Sequence, residues 1–142
     1  MHTGISSVQA QADSLLRPGH RARAITADVS DAQQDQQTVK AFGCLYIAVA
    51  CAAVRYHDCD FTFDALDESV WEETHAVNLR GVMLTCKSFI GHMLGQESGG
   101  SIVMVSSVTA RDGGSPNASY LTSKHGLNAY TGTLLWRAQY SL

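Results

Sequence analysis

The chain has 142 residues, which is the length of a single domain, and its formal net charge is −3. Its acidic balance, with no basic stretch, argues against a nucleic-acid partner. The longest apolar run, Leu45 to Val54, is too short to cross a bilayer, so we expect no membrane span and no membrane partner.

The cysteines and the N-terminal residues point to a reducing compartment. The four cysteines are at positions 44, 51, 59 and 86, and no two of them have the Cys-x-x-Cys spacing. We therefore expect mostly buried, reduced thiols and no metal site. The opening residues, Met1 to Gly4, contain no apolar stretch, so no signal peptide is expected. These observations together predict a cytoplasmic location.

The pattern of apolar residues predicts helices that alternate with strands. The first predicted elements are a helix over Ser6–Leu16 that Pro18-Gly19 ends, a short strand over Ala22–Val29 and a helix from a capping box at Ser30–Gln33 to about Phe42. A strand over Leu45–Ala50 follows, and then a helix that Asp67 or Ser69 caps and that ends near Leu94. The last elements are a strand over Ser101–Ser106, a Gly/Pro-rich loop over Arg111–Asn117 and a helix from Ala118 to about Tyr140. Continuous apolar runs in the last two strands are typical of strands buried on both faces. This alternation predicts a parallel α/β sheet.

Candidate chemistry follows the last predicted strand. Ser106 and Ser107 end that strand, and Tyr120 and Lys124 lie in the first turns of the next helix. Ligands of doubly wound sheets bind at the carboxyl ends of the strands, and positions i and i+4 share one face of a helix. An ammonium favours the charged form of a nearby phenol, so this pair can exchange a proton with a substrate. A hydroxyl such as that of Ser107 can hold a carbonyl or alcohol beside it. The alternative for the pair is a solvated helix face with a half-buried ring.

The residues around this pair resemble the active-site segment of the short-chain dehydrogenase/reductase family. The matching stretches are Gly99-Gly100-Ser101-Ile102-Val103-Met104-Val105-Ser106-Ser107 and Tyr120-Leu121-Thr122-Ser123-Lys124-His125-Gly126, preceded by Trp71, by Val77-Asn78-Leu79-Arg80-Gly81-Val82 and by Ala27-Asp28-Val29-Ser30-Asp31. The matches are collinear and extend from about Ser6 to Trp136. The interval before Tyr120 selects Ser107, rather than Ser106, as the counterpart of the family's catalytic serine.

The resemblance implies a catalytic role for four residues. Tyr120 would be the general acid/base in hydride transfer between an alcohol and a carbonyl, and Lys124 would support its ionisation. Ser107 would orient the substrate oxygen. Asn78 would hold a water molecule in the proton relay. The residue type alone leaves open that Asn78 is a mid-helix kink residue hydrogen-bonded to the backbone.

The same resemblance implies NAD or NADP as the cofactor and a small alcohol or carbonyl compound as the substrate. Asp28 and Val29 would contact the adenine, while Tyr120 and Lys124 would contact the nicotinamide ribose. The alternative for Asp28 is a turn residue at the end of a strand. The sequence does not distinguish NAD from NADP, and it does not identify the substrate.

The fold implied by the resemblance is an incomplete Rossmann-like α/β domain over residues 1–142, with a parallel sheet of about three strands flanked by helices. The family's Gly-rich turn, its first two strands and its substrate-binding segments have no counterpart in these residues. The Ala22–Val29 strand is therefore expected either to pair directly with the Leu45–Ala50 strand or to detach. Ala50-Cys51-Ala52-Ala53 stands where the family carries Asn-Asn-Ala-Gly, and we interpret it as a more apolar strand end.

Three hypotheses for the function follow. The first is an NAD(P)-dependent oxidoreductase, whose activity as this chain alone is not assured. The second is a non-catalytic remnant or dimerisation module, a possible homo-oligomer formed through the helices near residues 69–94 and 118–140. The third is a piece of a longer reading frame, in which case translation of the flanking nucleotides would reveal the family's Gly-rich segment.

Overall fold

The computed structural model describes residues 5–16, 18–19, 21–31, 42–112 and 116–139. The secondary structure within them consists of α1 (Ile5–Ser14), β1 (Ile47–Ala50), α2 (Glu68–His75), a π-helical segment (Ala76–Gly81), α3 (Val82–Leu94), β2 (Ser101–Met104), the short α4 (Thr109–Asp112) and α5 (Ala118–Gln139). No helix in these described ranges is both long enough and apolar enough to span a membrane.

Strands β1 and β2 form a parallel pair, in which Ile47 lies opposite Ser101 and Ala50 lies opposite Met104. Parallel neighbours need a crossover connection, and α2, the π-helical segment and α3 supply it. The side-chain amide of Gln96 extends the pairing at one end, because it accepts a hydrogen bond from the Leu45 N–H and donates one to the Leu45 carbonyl. The predicted parallel α/β arrangement is confirmed by this crossover.

One face of the sheet is packed and the other is exposed. Ala48 and Ala50 are buried, whereas Ile47 is 67% exposed and Val49 is 59% exposed. Helix α3 covers the packed face of β1. The prediction that both strands are buried on both faces was wrong for the described residues, since the helices cover only one side of this two-stranded sheet.

The core lies between the packed face of the sheet and the helices. Ala50, Val82, Cys86 and Leu127 form its buried centre, and the partly buried side chains around it are Leu79, Ile90, Ile102, Met104 and Tyr130. Helix α5 packs against α2, the π-helical segment and α4. This packing brings the start of α5 close to the residues that follow the two strands.

The crossover helix begins at its predicted cap and contains an irregularity that was not predicted. The Asp67 side chain accepts a hydrogen bond from the Ser69 N–H at 2.8 Å, so Asp67 is the N-cap, and the helix ends at Leu94 as expected. Between α2 and α3, residues Ala76–Gly81 adopt π-helical geometry. A π-helical turn holds an extra residue, and such turns are frequent at functional sites.

The segment Ala22–Val29 does not form the predicted strand. Its residues have no ladder partner, so the described part of the chain contains two strands instead of about three. Of the two expected outcomes, detachment from the sheet is the one observed. The predicted helix between residues 33 and 42 lies almost entirely outside the described residues.

The cysteines are more exposed than predicted. Cys86 is buried in the core, but Cys44, Cys51 and Cys59 are exposed. All four are free thiols. Cys44 precedes β1, and Cys51 and Cys59 follow it.

Candidate active site

The end of strand β2 is fastened to helix α5 by Ser106 and Lys124. The Ser106 hydroxyl donates a hydrogen bond to the Lys124 carbonyl at 3.0 Å, and the Lys124 ammonium donates one to the Val105 carbonyl at 2.8 Å. Ser107, the next residue, shares a hydrogen bond with the Thr109 hydroxyl at 2.8 Å and accepts one from the Thr109 N–H. Ser106 is therefore occupied between strand and helix, while Ser107 opens the turn into α4.

Lys124 carries a charged group in an enclosed place. The residue is 2% exposed, and burial lowers the pKa of its ammonium below the ordinary value, although the nearby Cys51 thiol acts in the opposite direction. The Val105 carbonyl uses one of the three ammonium hydrogens. The other two donors are available to an oxygen-rich ligand.

Two cations lie near the ring of Tyr120. The Lys124 nitrogen is 5.9 Å from the centre of the ring, and the Arg55 guanidinium carbon is 5.2 Å from it. The ring is partly buried. Among the described residues, no group forms a hydrogen bond with the phenol oxygen, which leaves it available to a substrate.

The first turn of α5, which carries Tyr120, is capped by a residue from the loop after β1. The buried carboxylate of Asp60 accepts a hydrogen bond from the Ser119 N–H at 3.0 Å and from the Tyr120 N–H at 2.9 Å. Asn117 donates to the Asp60 carbonyl at 2.7 Å and accepts from the Arg55 guanidinium at 2.8 Å. A helix leaves its first N–H groups without intrahelical partners, which explains why a carboxylate is stable there.

Asn78 lies in the π-helical segment, and its side chain is fully buried. Its amide oxygen accepts from the Val54 N–H at 2.7 Å, and its amide nitrogen donates to the Val54 carbonyl at 2.9 Å and to the Ser123 hydroxyl at 3.2 Å. Ser123 donates in turn to the Tyr120 carbonyl at 2.8 Å. The side chain of Asn78 thus connects the segment after β1 to the backbone of Tyr120.

The residues Cys51, Ala52 and Ala53, which follow β1, are exposed. Val54 is next along the chain, and Asn78 holds both its N–H and its carbonyl. The Asn78 side chain therefore braces this strand end from the crossover helix.

Asp28 and Val29 belong to a turn that contacts the π-helical segment. The exposed Asp28 carboxylate accepts hydrogen bonds from the N–H and the hydroxyl of Ser30, which lower the pKa of Asp28. Arg80 donates to the Ser30 carbonyl, and a Cβ placed on Gly81 would lie 2.8 Å from the Val29 side chain. Asp28 has the geometry of a turn residue, and the turn lies against the segment that carries Asn78.

All four residues of the predicted catalytic set lie near the start of α5 and the ends of the two strands. Lys124 lies beside Tyr120 and bonds to the residue two positions before Ser107, and Asn78 reaches Tyr120 through Ser123. Four residues of this network were not predicted from the sequence, namely Arg55, Asp60, Asn117 and Ser123. The first two lie in a polar loop whose composition gives no sign of contact with a helix some 60 residues later.

Comparison with known proteins agrees with this geometry. The family model described as short chain dehydrogenase matches residues 3–140 of the chain. The parallel strand pair joined by a crossover helix is the arrangement expected of such a match. The chain belongs to the short-chain dehydrogenase/reductase family, which is a family of oxidoreductases.

Several curated proteins are similar to most of the chain. The short chain dehydrogenase/reductase astE of Aspergillus oryzae is 35% identical over 119 residues, which cover 81% of the chain and 45% of that protein. The L-rhamnose 1-dehydrogenase (NAD(P)(+)) of a Sphingomonas species is 34% identical over 116 residues, covering 78% of the chain and 44% of that protein. The (−)-trans-carveol dehydrogenase of Rhodococcus erythropolis is 32% identical over 113 residues, covering 77% and 40%. The chain spans less than half the length of these relatives.

Proposed function

We propose that the chain carries the active site of an NAD(P)-dependent oxidoreductase that interconverts an alcohol and a carbonyl compound. The observation that carries the proposal is the place of Tyr120, whose phenol oxygen has no hydrogen-bond partner among the described residues and whose ring lies 5.9 Å from the Lys124 ammonium. A phenol beside an ammonium is suited to general acid/base chemistry. Small-molecule substrates also agree with the names of the relatives, a rhamnose dehydrogenase and a carveol dehydrogenase.

In the direction of carbonyl reduction, the Tyr120 hydroxyl gives its proton to the substrate oxygen, and in alcohol oxidation it takes that proton back. Lys124, whose nitrogen lies near the ring, stabilises the phenolate that remains. Ser107 can accept the Thr109 hydrogen bond and still donate its own hydrogen to the substrate oxygen. Asn78 supports the site by holding the Val54 peptide and Ser123, which fixes the carbonyl of Tyr120.

The described residues fit a nicotinamide dinucleotide at two places. Lys124 keeps two ammonium hydrogens beyond the Val105 bond, and these suit ribose hydroxyls near Tyr120. The exposed Asp28 carboxylate and Val29 lie in the turn against the Asn78 segment, where they would contact the adenine end. When bound, the dinucleotide supplies or accepts the hydride. One relative is named as using NAD(P)+, which supports the cofactor class without choosing between the two forms.

The test is a titration of the folded chain with NADH and NADPH, followed by nicotinamide fluorescence, and then an assay with secondary alcohols that include L-rhamnose and carveol. We expect saturable binding and a turnover that Tyr120→Phe lowers about 100-fold or more, the size expected for loss of a general acid/base. Dinucleotide binding should weaken far less than turnover in that variant, because Lys124 keeps its donors for the ribose.

Tyr130→Phe is the matched control, because Tyr130 lies on the same helix and its hydroxyl donates a hydrogen bond to the Leu79 carbonyl at 3.5 Å. It should retain turnover. Absence of saturable binding to a folded sample would contradict the proposal that this chain acts as an enzyme by itself. The cytoplasmic location and the association through the helices near 69–94 and 118–140 stay predictions from the sequence.

A further inference from the structure

The N–H and the carbonyl of Tyr120 both bond to side chains, the first to Asp60 in the loop after β1 and the second to Ser123 on the same helix. The N–H donates to Asp60 at 2.9 Å, and the carbonyl accepts from Ser123 at 2.8 Å, which Asn78 holds in turn. The ring, by contrast, carries a phenol oxygen with no partner in the described part of the chain. The backbone of this residue is therefore immobilised while its reacting atom is left open.

The Asp60 loop binds the start of α5 by more than its carboxylate. The Asp60 carbonyl accepts from the Asn117 amide at 2.7 Å, and the Phe61 carbonyl accepts from the Ala118 N–H at 3.2 Å. Asn117 also accepts from Arg55, whose guanidinium lies over the Tyr120 ring. The loop thus holds the backbone of the first turn and also orders a cation on the ring.

Asp60 is an unusual cap because it is distant in sequence and completely buried, with 0% exposure. No lysine, arginine or histidine within the described ranges forms an ion pair with it. A cap close in sequence is enough to stabilise a helix end, as Asp67 does for α2. A buried carboxylate that binds two consecutive N–H groups from another segment also sets where the helix starts relative to the strand ends.

We propose that Asp60 is a positioning residue for Tyr120, acting through the two N–H groups of the first turn of α5. It sets the depth of the phenol at the carboxyl ends of β1 and β2, so that the hydroxyl meets the substrate oxygen held by Ser107. The inference rests on the proposed function, since a position for the phenol matters to chemistry only if Tyr120 reacts. Neither the family match nor the names of the relatives assign a role to Asp60.

The test compares Asp60→Asn with Asp67→Asn in the intact chain. An asparagine at position 60 keeps the size of the side chain but turns one acceptor into a donor that faces a peptide N–H. We expect kcat to fall about 10- to 100-fold, the loss typical of a misplaced reacting group, while KM and the dinucleotide Kd change less than about threefold. Asp67→Asn removes a helix-capping carboxylate from α2, which carries none of the proposed site residues, and should leave kcat nearly unchanged.

Two outcomes of the kinetic comparison would overturn the inference. One is an unchanged kcat in a folded Asp60→Asn variant. The other is an equal fall of kcat in both variants, which would show a general effect of losing a negative charge at the start of a helix. Asp60→Ser is made in parallel, because serine retains a capping oxygen without a facing donor and should fold if the asparagine variant does not. The serine variant is expected to show the same selective fall of kcat.

Measurements without turnover separate this inference from the proposed function. If the wild-type chain binds no dinucleotide, the proposed function fails, and the inference is decided by NMR. The aromatic signals of Tyr120, assigned with Tyr120→Phe, should shift in Asp60→Asn and stay in place in Asp67→Asn. In the wild type, the amides of Ser119 and Tyr120 should exchange slowly because Asp60 binds them, although amides of a first helical turn normally exchange fast. Fast exchange of both amides, or unmoved Tyr120 signals, would overturn the inference.

Discussion

At the scale of single residues, Lys124 has a charge that the fold encloses. Its ammonium has one hydrogen bond, to the Val105 carbonyl, and burial lowers its pKa from the ordinary value of 10.5. Because the folded pKa lies below the unfolded pKa, the unfolded chain binds more protons between the two values. The free energy of unfolding therefore rises with pH between the folded and the unfolded pKa of Lys124, and this gain is lost as the pH falls back to the folded pKa.

We predict that replacing Lys124 with methionine removes this pH dependence. The difference in unfolding free energy between wild type and Lys124→Met should shift in favour of the wild type as the pH rises towards 10.5. Urea denaturation at several pH values between 7 and 10 measures this difference. Lys87→Met, a change of the same type at an exposed position of α3, is the control and should show a flat difference. A flat difference for Lys124→Met as well would contradict an enclosed ammonium.

Asn78 is the second residue whose removal has a defined cost. Alanine at this position would leave the partly buried N–H and carbonyl of Val54 without their partner and would remove the bond that the Ser123 hydroxyl accepts. Since a buried polar group without a partner costs about 1–3 kcal/mol, we expect Asn78→Ala to lower the unfolding free energy by about 2–4 kcal/mol. Asn128→Ala, an exposed position on α5, should change it by less than about 0.5 kcal/mol. Equal effects in denaturant titrations would exclude the bridging role of Asn78.

At the scale of secondary structure elements, the turn with Asp28 and Val29 depends on a glycine of the π-helical segment. A Cβ on Gly81 would lie 2.8 Å from the Val29 side chain and 3.2 Å from the Val29 carbonyl oxygen. The second contact is with the backbone, so a rotamer change does not relieve it. Contact of the turn with the helix therefore needs a residue without a side chain at position 81.

We predict that Gly81→Ala separates the turn from the helix, whereas Gly91→Ala stabilises the protein. A Cβ on Gly91 would meet nothing within 4 Å, so alanine there gains only helix propensity, about 0.5–1 kcal/mol. Hydrogen exchange at residues 28–31 should become faster in Gly81→Ala and stay unchanged in Gly91→Ala. Unchanged exchange in both variants would show that the turn does not depend on this contact.

The sequence was sufficient to predict the bounds of those elements that have strong local signals. Asp67 as a cap, the end of the crossover helix at Leu94 and the start of α5 at Ala118 are all where the pattern predicts them. It was insufficient where contacts with distant segments decide whether an element forms. Ala22–Val29 has the composition of a strand, but a strand needs a neighbour, and no such neighbour is present in the described residues.

The candidate site shows the same division. The sequence motif was sufficient to identify Ser107, Tyr120 and Lys124, because their spacing is local, and their catalytic roles stay predictions. Asp60 and Asn117 were not foreseen, because their function in the fold is a contact between distant segments. The π-helical geometry at Ala76–Gly81 was likewise not foreseen, since its apolar residues also fit an ordinary helix.

At the scale of the whole molecule, the bare side of the sheet is an exposed apolar surface. Ile47, Val49, Val103 and Val105 project from it, all with more than a third of their surface exposed. Each strand has one partner among the described residues, which leaves the outer edge of each strand unpaired. Unpaired edges and apolar faces favour association between chains.

We predict that the double change Val49→Thr with Val103→Thr reduces self-association of the chain. Threonine keeps the β-branched shape that suits strands while adding a hydroxyl to the exposed face. Light scattering as a function of concentration measures the effect, and Val108→Thr, at a residue that is 82% exposed outside the sheet, is the control. Association that persists in the double variant would instead favour contact through the helices near 69–94 and 118–140.

The π-helical segment also affects how the chain can vary in length. One residue of an α-helix corresponds to a rotation of about 100°, and a π-helical turn takes up one extra residue without adding that rotation. The residues after Gly81, among them Val82 and Cys86 in the core, therefore keep the phase of a regular helix that is one residue shorter. Deletion of one residue between Ala76 and Gly81, other than Asn78, would restore a regular helix and leave the faces before and after it in register. The irregular turn thus acts as a phase adjustment between the site and the core, and we expect a single-residue deletion to be tolerated better there than in α3, where it would rotate the following residues by about 100°.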